Sequence, residues 1–172
     1  MRRIALLAAR IATLAFALAA TSSASAGIVI TFSETSGDVV ATVSGSITLP
    51  SDPIDGSVST NSRIAPNISA FQFGTAVAVN YDLYAFESSF PNFGTGGASP
   101  SGTETGIADA ERFVTNESYL SINPDYQSGT EISGTITWSG QTFSSLGLTS
   151  GTYSRALAAD ATQTLTIQFG EA

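Results

Sequence analysis

The sequence predicts an all-β fold: a single antiparallel β-sandwich of jelly-roll type after an N-terminal signal peptide. Three observations support this prediction. Apolar residues alternate with Thr and Ser at a period of two through most of residues 27–172. Short segments rich in Gly and Ser separate these alternating runs. Apolar periodicity of the helical kind is almost absent, which favours a sandwich or jelly roll.

Residues 1–26 have the layout of a secretory signal peptide. They begin with a basic segment, continue with an apolar run over residues 11–20, and end with small residues. The alternative, a membrane-spanning helix, needs about 20 apolar residues, and Arg10 interrupts the run. We therefore expect cleavage between Ala26 and Gly27. The protein is then secreted or periplasmic, with no membrane span in the mature chain.

The mature chain, residues 27–172, is strongly acidic. Three arginines against 14 acidic residues give it a net charge of −11, and it has no lysine, histidine or cysteine. Nucleic acids and anionic membranes are therefore poor partners, because both bind through positive charge. Disulfides, zinc sites built from thiolate and imidazole, and nucleophiles that need His, Lys or Cys are all excluded by composition.

The N-terminal half predicts a hairpin and two further strands. Its first two strands flank a turn at residues 35–38 that contains Gly. Residues 50–66 are rich in Ser, Asp and Pro and predict a loop. The predicted strands cover residues 28–33, 39–49, 68–73 and 77–85.

Residues 88–106 form a long Gly/Ser-rich stretch, which predicts a surface loop of unusual length. Phe90 and Phe93 lie within it. Such rings either fold back onto the core or remain available to a partner.

The C-terminal half predicts more short strands and one helical turn at residues 142–148. The side-chain phase places Trp138, Leu165, Ile167 and Phe169 in the core. The predicted strands cover residues 112–115, 119–122, 130–138, 152–157 and 162–169.

Residues 142–153, TFSSLGLTSGTY, and the N-terminal segments IVITF and GDVVAT resemble those of PEP-CTERM proteins. These are exported proteins of environmental Gram-negative bacteria that exosortase processes. The resemblance implies an exported β-protein associated with extracellular polysaccharide, and it supplies no catalytic residues. The family's C-terminal anchor, a Pro-Glu-Pro motif with an apolar helix and a basic tail, does not occur in this sequence. We therefore expect a relative that lacks the PEP-CTERM anchor.

Carboxylates are the remaining candidates for chemistry. Glycoside hydrolysis needs two of them about 5 to 10 Å apart, but surface acids are usually only solvated. Two aspartates in residues 52–56 could offer oxygens to calcium, although the spacing matches no calcium motif and a polar turn is favoured. We expect no catalytic residue and no cofactor. The carboxylates considered are Asp82, Glu87, Glu104, Asp109, Glu111 and Glu117.

Sugar binding would use exposed aromatic rings. Tyr84, Phe90 and Phe93 are the candidate binding residues, because their phase or loop position allows exposure. Trp138 shares its phase with Ile136 and is favoured as a core residue. The other rings considered are Tyr81, Tyr119, Tyr126 and Tyr153.

These observations favour a non-enzymatic exported β-sandwich with a structural role, or one in contact with extracellular matrix or the cell surface. Its partner would be an extracellular polysaccharide or a cell-surface protein. The first alternative is a carbohydrate-binding module. A glycosidase with a carboxylate pair has less support. The sequence gives no indication of oligomeric state.

Overall fold

Two six-stranded sheets pack face to face in a computed structural model of the chain. The structure describes residues 26–74 and 76–170, excluding the side chains of residues 58–60 and 76–79. The all-β sandwich predicted from the sequence is confirmed. The predicted signal peptide lies outside the described residues, apart from Ala26. Within the described ranges, no helix has the length and apolar character needed to cross a membrane.

The strands are short, from 3 to 10 residues each. In chain order they are β1 (Gly27–Thr35), β2 (Asp38–Ser46), β3 (Ile54–Thr60), β4 (Arg63–Ala65), β5 (Ala70–Phe73), β6 (Ala76–Ala85), β7 (Thr103–Thr105), β8 (Phe113–Thr115), β9 (Tyr119–Ile122), β10 (Gly134–Trp138), β11 (Gly151–Leu157) and β12 (Asp160–Phe169). One short helix, α1 (Phe143–Leu146), and 3₁₀ turns at Pro66–Ile68 and Asp109–Glu111 complete the described elements.

The first sheet has the order β11-β12-β1-β2-β10-β7, and the second has the order β3-β6-β9-β8-β5-β4. Both sheets are mostly antiparallel, and β1 departs from this pattern because it runs parallel to β12. Gly27 makes this pairing close. A Cβ on that residue would lie 2.4 Å from the carbonyl oxygen of Thr164, so a larger residue would separate the two strands.

The inner faces of both sheets meet in an aromatic core. The ring of Phe32 lies 4.6 Å from that of Phe169, 5.2 Å from Phe71 and 5.9 Å from Trp138, measured between centroids. These separations are typical of favourable aromatic pairs. The predicted core positions are confirmed: Trp138, Leu165, Ile167 and Phe169 are all buried.

Several predicted elements differ from the observed ones at the rims of the sheets. The predicted loop at residues 50–66 contains β3 and β4, and the predicted loop at residues 88–106 contains β7. All three are edge strands, which pair with a neighbouring strand on one side only. Pro, Gly, Asp and Ser are therefore tolerated there, because fewer backbone groups need a hydrogen-bond partner within the sheet. The predicted helical turn is confirmed as α1, which begins with a capping box between Thr142 and Ser145.

Backbone hydrogen bonds join the two sheets at both borders. At one border, Ala158 N donates to Ala85 O at 2.8 Å, which joins the end of β11 to the end of β6. At the other, Gly102 N donates to Ser62 O at 2.6 Å and Ser99 N donates to Ile64 O at 2.8 Å. The borders are therefore covered at these points, which leaves the outer faces as the larger available surfaces.

Candidate functional site

The three candidate aromatic residues contribute mainly to the core. Tyr84 is 7% exposed, Phe90 is 3% exposed and Phe93 is fully buried. The ring of Phe90 packs edge to face on Phe86 and Phe93, with centroids 5.0 and 5.6 Å apart, and the guanidinium of Arg155 lies over it at 5.3 Å. Of the two arrangements that the sequence left open for Phe90 and Phe93, the structure shows the folded-back one.

The loop at residues 88–106 is attached to both sheets by its backbone. Phe93 N donates at 2.9 Å to the carbonyl oxygen of Pro66, in the 3₁₀ turn between β4 and β5 of the second sheet. Thr149 N donates to Phe93 O at 2.8 Å. Thr95 N also donates to Gly147 O at 3.0 Å. Gly147 ends α1 with a φ of 65°, in the left-handed region that favours glycine. The TFSSLGLT segment thus forms the surface that the loop contacts.

Tyr84 borders a small cavity of about 140 Å³ at the sheet border. Apolar side chains surround it, including Ile54, Leu83 and Leu157. Burial raises the pKa of Tyr84 above its ordinary value, and the negative charge of Asp82 raises it further. The hydroxyl is therefore neutral at physiological pH.

A single carboxylate lines each of three concavities among the described residues. Asp55 lies opposite Asp82 in the pairing of β3 with β6, but only Asp55 lines the open concavity beside them. Asp52 borders the Tyr84 cavity as its one carboxylate, and Glu117 is the one carboxylate of a concavity described below. Among the described residues, no three acidic side chains form a group able to hold a metal ion.

Glu104 belongs to a polar network that connects the two sheets. Its carboxylate accepts hydrogen bonds from the buried hydroxyl of Ser62 and, at 3.1 Å, from Nη1 of Arg112. Arg112 also donates to Asp109 at 3.0 Å. Burial alone would lower the pKa of Arg112, but the hydrogen bonds and charges of these two carboxylates raise it above its ordinary value. We interpret this network as structural, because Arg112 pairs with two carboxylates of the protein and the Ser62 hydroxyl donates to one of them.

The outer face of the first sheet carries three rows of uncharged side chains. The longest row crosses all six strands in register, and shorter rows flank it on either side. Every member is partly or fully exposed. The long row is Thr152, Gln168, Thr31, Thr42, Thr135 and Thr105; the flanking rows are Ser154, Thr166, Val29 and Ser44, and Ser33, Val40, Thr137 and Thr103.

A shallow concavity of about 270 Å³ lies at one end of the second sheet. It is lined by Ile68, by the three residues that connect β8 to β9, and by the first residue of β9; these four are Asn116, Glu117, Ser118 and Tyr119. Ile68 is 57% exposed. Tyr119 is half-buried and makes no contact with another aromatic ring in the described part of the chain. The sequence offers Tyr119 as an aromatic candidate but gives no sign that Ile68 lies beside it, because the two residues belong to separate segments of the chain.

Comparison with protein-family models, curated proteins and solved structures finds no match. The function is therefore inferred from the two surfaces described above. One is the uncharged outer face of the first sheet, and the other is the concavity around Tyr119.

Proposed function

We propose that the chain is an exported, non-enzymatic β-sandwich that contacts extracellular matrix polysaccharide or a cell-surface protein. The uncharged hydroxyl rows on the first sheet are the observation that carries this proposal. The signal-peptide pattern of residues 1–26 and the PEP-CTERM resemblance support an extracellular location. The mature net charge of −11 adds a constraint, since it disfavours acidic partners.

The hydroxyl rows suit a neutral, hydroxyl-rich partner. Thr and Ser hydroxyls both donate and accept hydrogen bonds, as the hydroxyls of a polysaccharide do. Neighbouring strands lie about 4.8 Å apart and alternate residues along a strand about 6.7 Å apart, so the rows form a regular array. No charge in these rows must be desolvated when a neutral polymer approaches. A solvated sheet face also favours Thr, and a direct binding test separates this structural role from a binding role.

The test is cosedimentation of the exported chain with insoluble neutral polysaccharides: cellulose, chitin and β-1,3-glucan. The variant Thr42→Glu/Thr135→Glu places two charges in the centre of the long row. The matched control, Thr48→Glu/Thr130→Glu, adds the same charge at exposed positions outside the rows. We expect wild type and control to bind equally, the row variant to bind several-fold less, and binding to persist in high salt because it involves no ion pairs.

Two outcomes would contradict the proposal. One is the absence of wild-type binding to every polysaccharide and to the intact matrix and cell surface of the source organism. The other is equal binding by the row variant and wild type.

A carbohydrate-binding module is a second candidate function, and the concavity around Tyr119 favours it. It combines a partly exposed ring with amide, hydroxyl and carboxylate groups, the usual mixture of a small ligand site. A carboxylate-pair glycosidase has less support, because the concavities described here each contain a single carboxylate.

A further inference from the structure

We infer that the concavity lined by Ile68, Asn116, Glu117, Ser118 and Tyr119 binds one residue of a neutral sugar chain. The inference rests on the proposed function for the kind of partner, an extracellular polysaccharide. It adds a second and separate contact, away from the hydroxyl rows. Its support comes from the rigidity of the turn, the placement of the apolar surfaces and the charge of the site.

The polar side of the site is a β-turn held by its own side chain. Asn116 N donates to Tyr119 O at 3.0 Å, which closes the turn. Asn116 Oδ1 accepts from the backbone N–H groups of Ser118 and Tyr119, at 2.8 and 2.9 Å. The amide group is thereby fixed in orientation, and its NH₂ makes no hydrogen bond with the described residues. A fixed donor loses little entropy when a ligand binds.

The turn is also attached to the neighbouring segment through its carbonyl groups. Phe90 N donates to Glu117 O at 2.7 Å, and Phe86 N donates to Ser118 O at 2.9 Å. Phe86 and Phe90 are themselves buried. The side chains of the turn therefore extend from a backbone that is fixed to the core.

The apolar side of the site is held outward by a strained residue. Ser69 follows the 3₁₀ turn with a φ of 52°, unusual for a residue other than glycine. Its hydroxyl donates to Pro91 O at 2.8 Å, and Asn67 N donates to Gly96 O at 2.9 Å. These bonds fix the turn that presents Ile68 to solvent. Ile68 and Tyr119 thus offer an apolar surface to the C–H groups of a sugar ring, beside polar groups for its hydroxyls.

The charge of the site selects a neutral sugar. The carboxylate of Glu117 is exposed and makes no hydrogen bond or ion pair with the described residues. A carboxylate accepts hydrogen bonds from sugar hydroxyls more strongly than a neutral group does. It repels the carboxylates of uronic acids, as does the acidic chain as a whole. The Asn116 NH₂ group adds a hydrogen-bond donor. The site therefore offers a donor to one sugar hydroxyl and an acceptor, the Glu117 carboxylate, to another.

The test is titration of the mature chain with soluble hexasaccharides, followed by calorimetry and by ¹⁵N-resolved NMR. Neutral probes are cello-, xylo-, manno- and laminarihexaose, and the acidic probe is hexagalacturonate. We expect a neutral probe to bind and to shift the amide signals of residues 116–119, and hexagalacturonate not to bind. Tyr119→Ala should weaken binding by about tenfold, as for an interfacial ring at the centre of a site, whereas Tyr119→Phe should keep most of it.

Glu117→Gln should weaken binding several-fold by removing the charged acceptor. Glu87→Gln is the matched control, because Glu87 is also an exposed glutamate, and it should change nothing. The inference is overturned if no neutral hexasaccharide binds, or if Tyr119→Ala binds as wild type does. If the chain binds no hexasaccharide but still binds insoluble polysaccharide through the hydroxyl rows, only the inference about the concavity is wrong. If the chain binds neither the hexasaccharides nor the insoluble polysaccharides, the inference and the proposed function are both wrong.

Discussion

The two sheets present different outer faces to solvent. On the first sheet, the three rows are hydroxyl-rich and contain no charged residue. On the second, Ile54 of β3 is 54% exposed, whereas Tyr81 of the neighbouring β6 is only 1% exposed. The Tyr81 hydroxyl has no hydrogen-bond partner among the described residues. The three cavities described above border the second sheet. The difference suggests that one face offers a uniform hydrated array, while the other offers discrete sites.

We expect side chains on the inner faces to determine the free energy of unfolding and side chains on the outer faces to determine binding. Replacement of Trp138 tests this expectation with the largest effect. Trp138 and Thr137 are neighbours on β10 and face opposite ways. Trp138→Ala should cost about 3–5 kcal/mol of unfolding free energy, because it empties an aromatic core position. Thr137→Ala should change it by about 0.5 kcal/mol or less. Urea unfolding followed by circular dichroism measures both, and similar costs would mean that the faces are wrongly assigned.

The next largest effect is expected at the sheet border, where Arg112 is half-buried. Arg112→Ala removes the cation that Glu104 contacts and should cost about 1–3 kcal/mol, since a partly buried carboxylate loses its partner. Asp109 also pairs with Arg112 but is 92% exposed. Asp109→Asn should therefore cost about 0.5 kcal/mol or less. Equal losses in thermal or urea unfolding would show that the network does not join the sheets.

Tyr126 gives a smaller effect with a defined pH dependence. Its hydroxyl accepts from Ile47 N at 3.2 Å and donates to Thr130 O at 2.5 Å. Tyr126→Phe should cost about 1–2 kcal/mol, because a buried N–H loses its acceptor. Burial, together with the charge of Glu111, raises the pKa of Tyr126 despite opposing backbone hydrogen bonds.

The sign of the pH effect follows from that raised pKa. The folded state holds the phenol proton more tightly than the unfolded state, whose pKa is about 10. The contribution to stability is complete below that pH and is lost as pH rises through the folded-state pKa. Unfolding curves from pH 7 to 11 should therefore show a smaller alkaline loss in Tyr126→Phe than in wild type. The remaining loss is expected from Tyr84, whose pKa is also raised.

The smallest effect on stability should come from making the second sheet resemble the first. Ile54→Thr/Ile68→Thr replaces two exposed isoleucines with the side chain that dominates the hydroxyl rows. The unfolding free energy should change by about 0.5 kcal/mol or less, while fluorescence from a bound apolar dye should fall. Val40→Thr in the rows is the control and should leave the dye signal unchanged. An unchanged signal in the double variant would mean that these isoleucines form no apolar patch.

Alternation was sufficient to predict the long strands and their core residues. Ile28, Ile30 and Phe32 on β1 and Leu165, Ile167 and Phe169 on β12 all point inward as their phase predicts. Such a pattern is legible because one face of each strand is buried and the other solvated. Three of the edge strands, β3, β4 and β7, lack this contrast, and the sequence therefore predicts loops at these positions. The edge strand β11 is recognised from the sequence.

The candidate sites were less predictable, because tertiary contacts create them. Phe93 lies in a Gly-rich segment, and only docking of that segment on Gly147 and Pro66 explains its burial. Ile68 and Tyr119 are 51 positions apart and share a concavity because two turns meet at one end of the second sheet. Local periodicity carries no information about contacts between residues that are far apart in the sequence.

The position of β1 between β2 and β12 also limits the order in which the first sheet can assemble. β2 follows β1 directly in the chain, but β12 is the last described strand, so the first sheet cannot be completed before residues 160–169 are available. Pairing of such distant segments is slow, since a long loop must close first. The parallel strand pair is therefore expected to form late in the assembly of the first sheet.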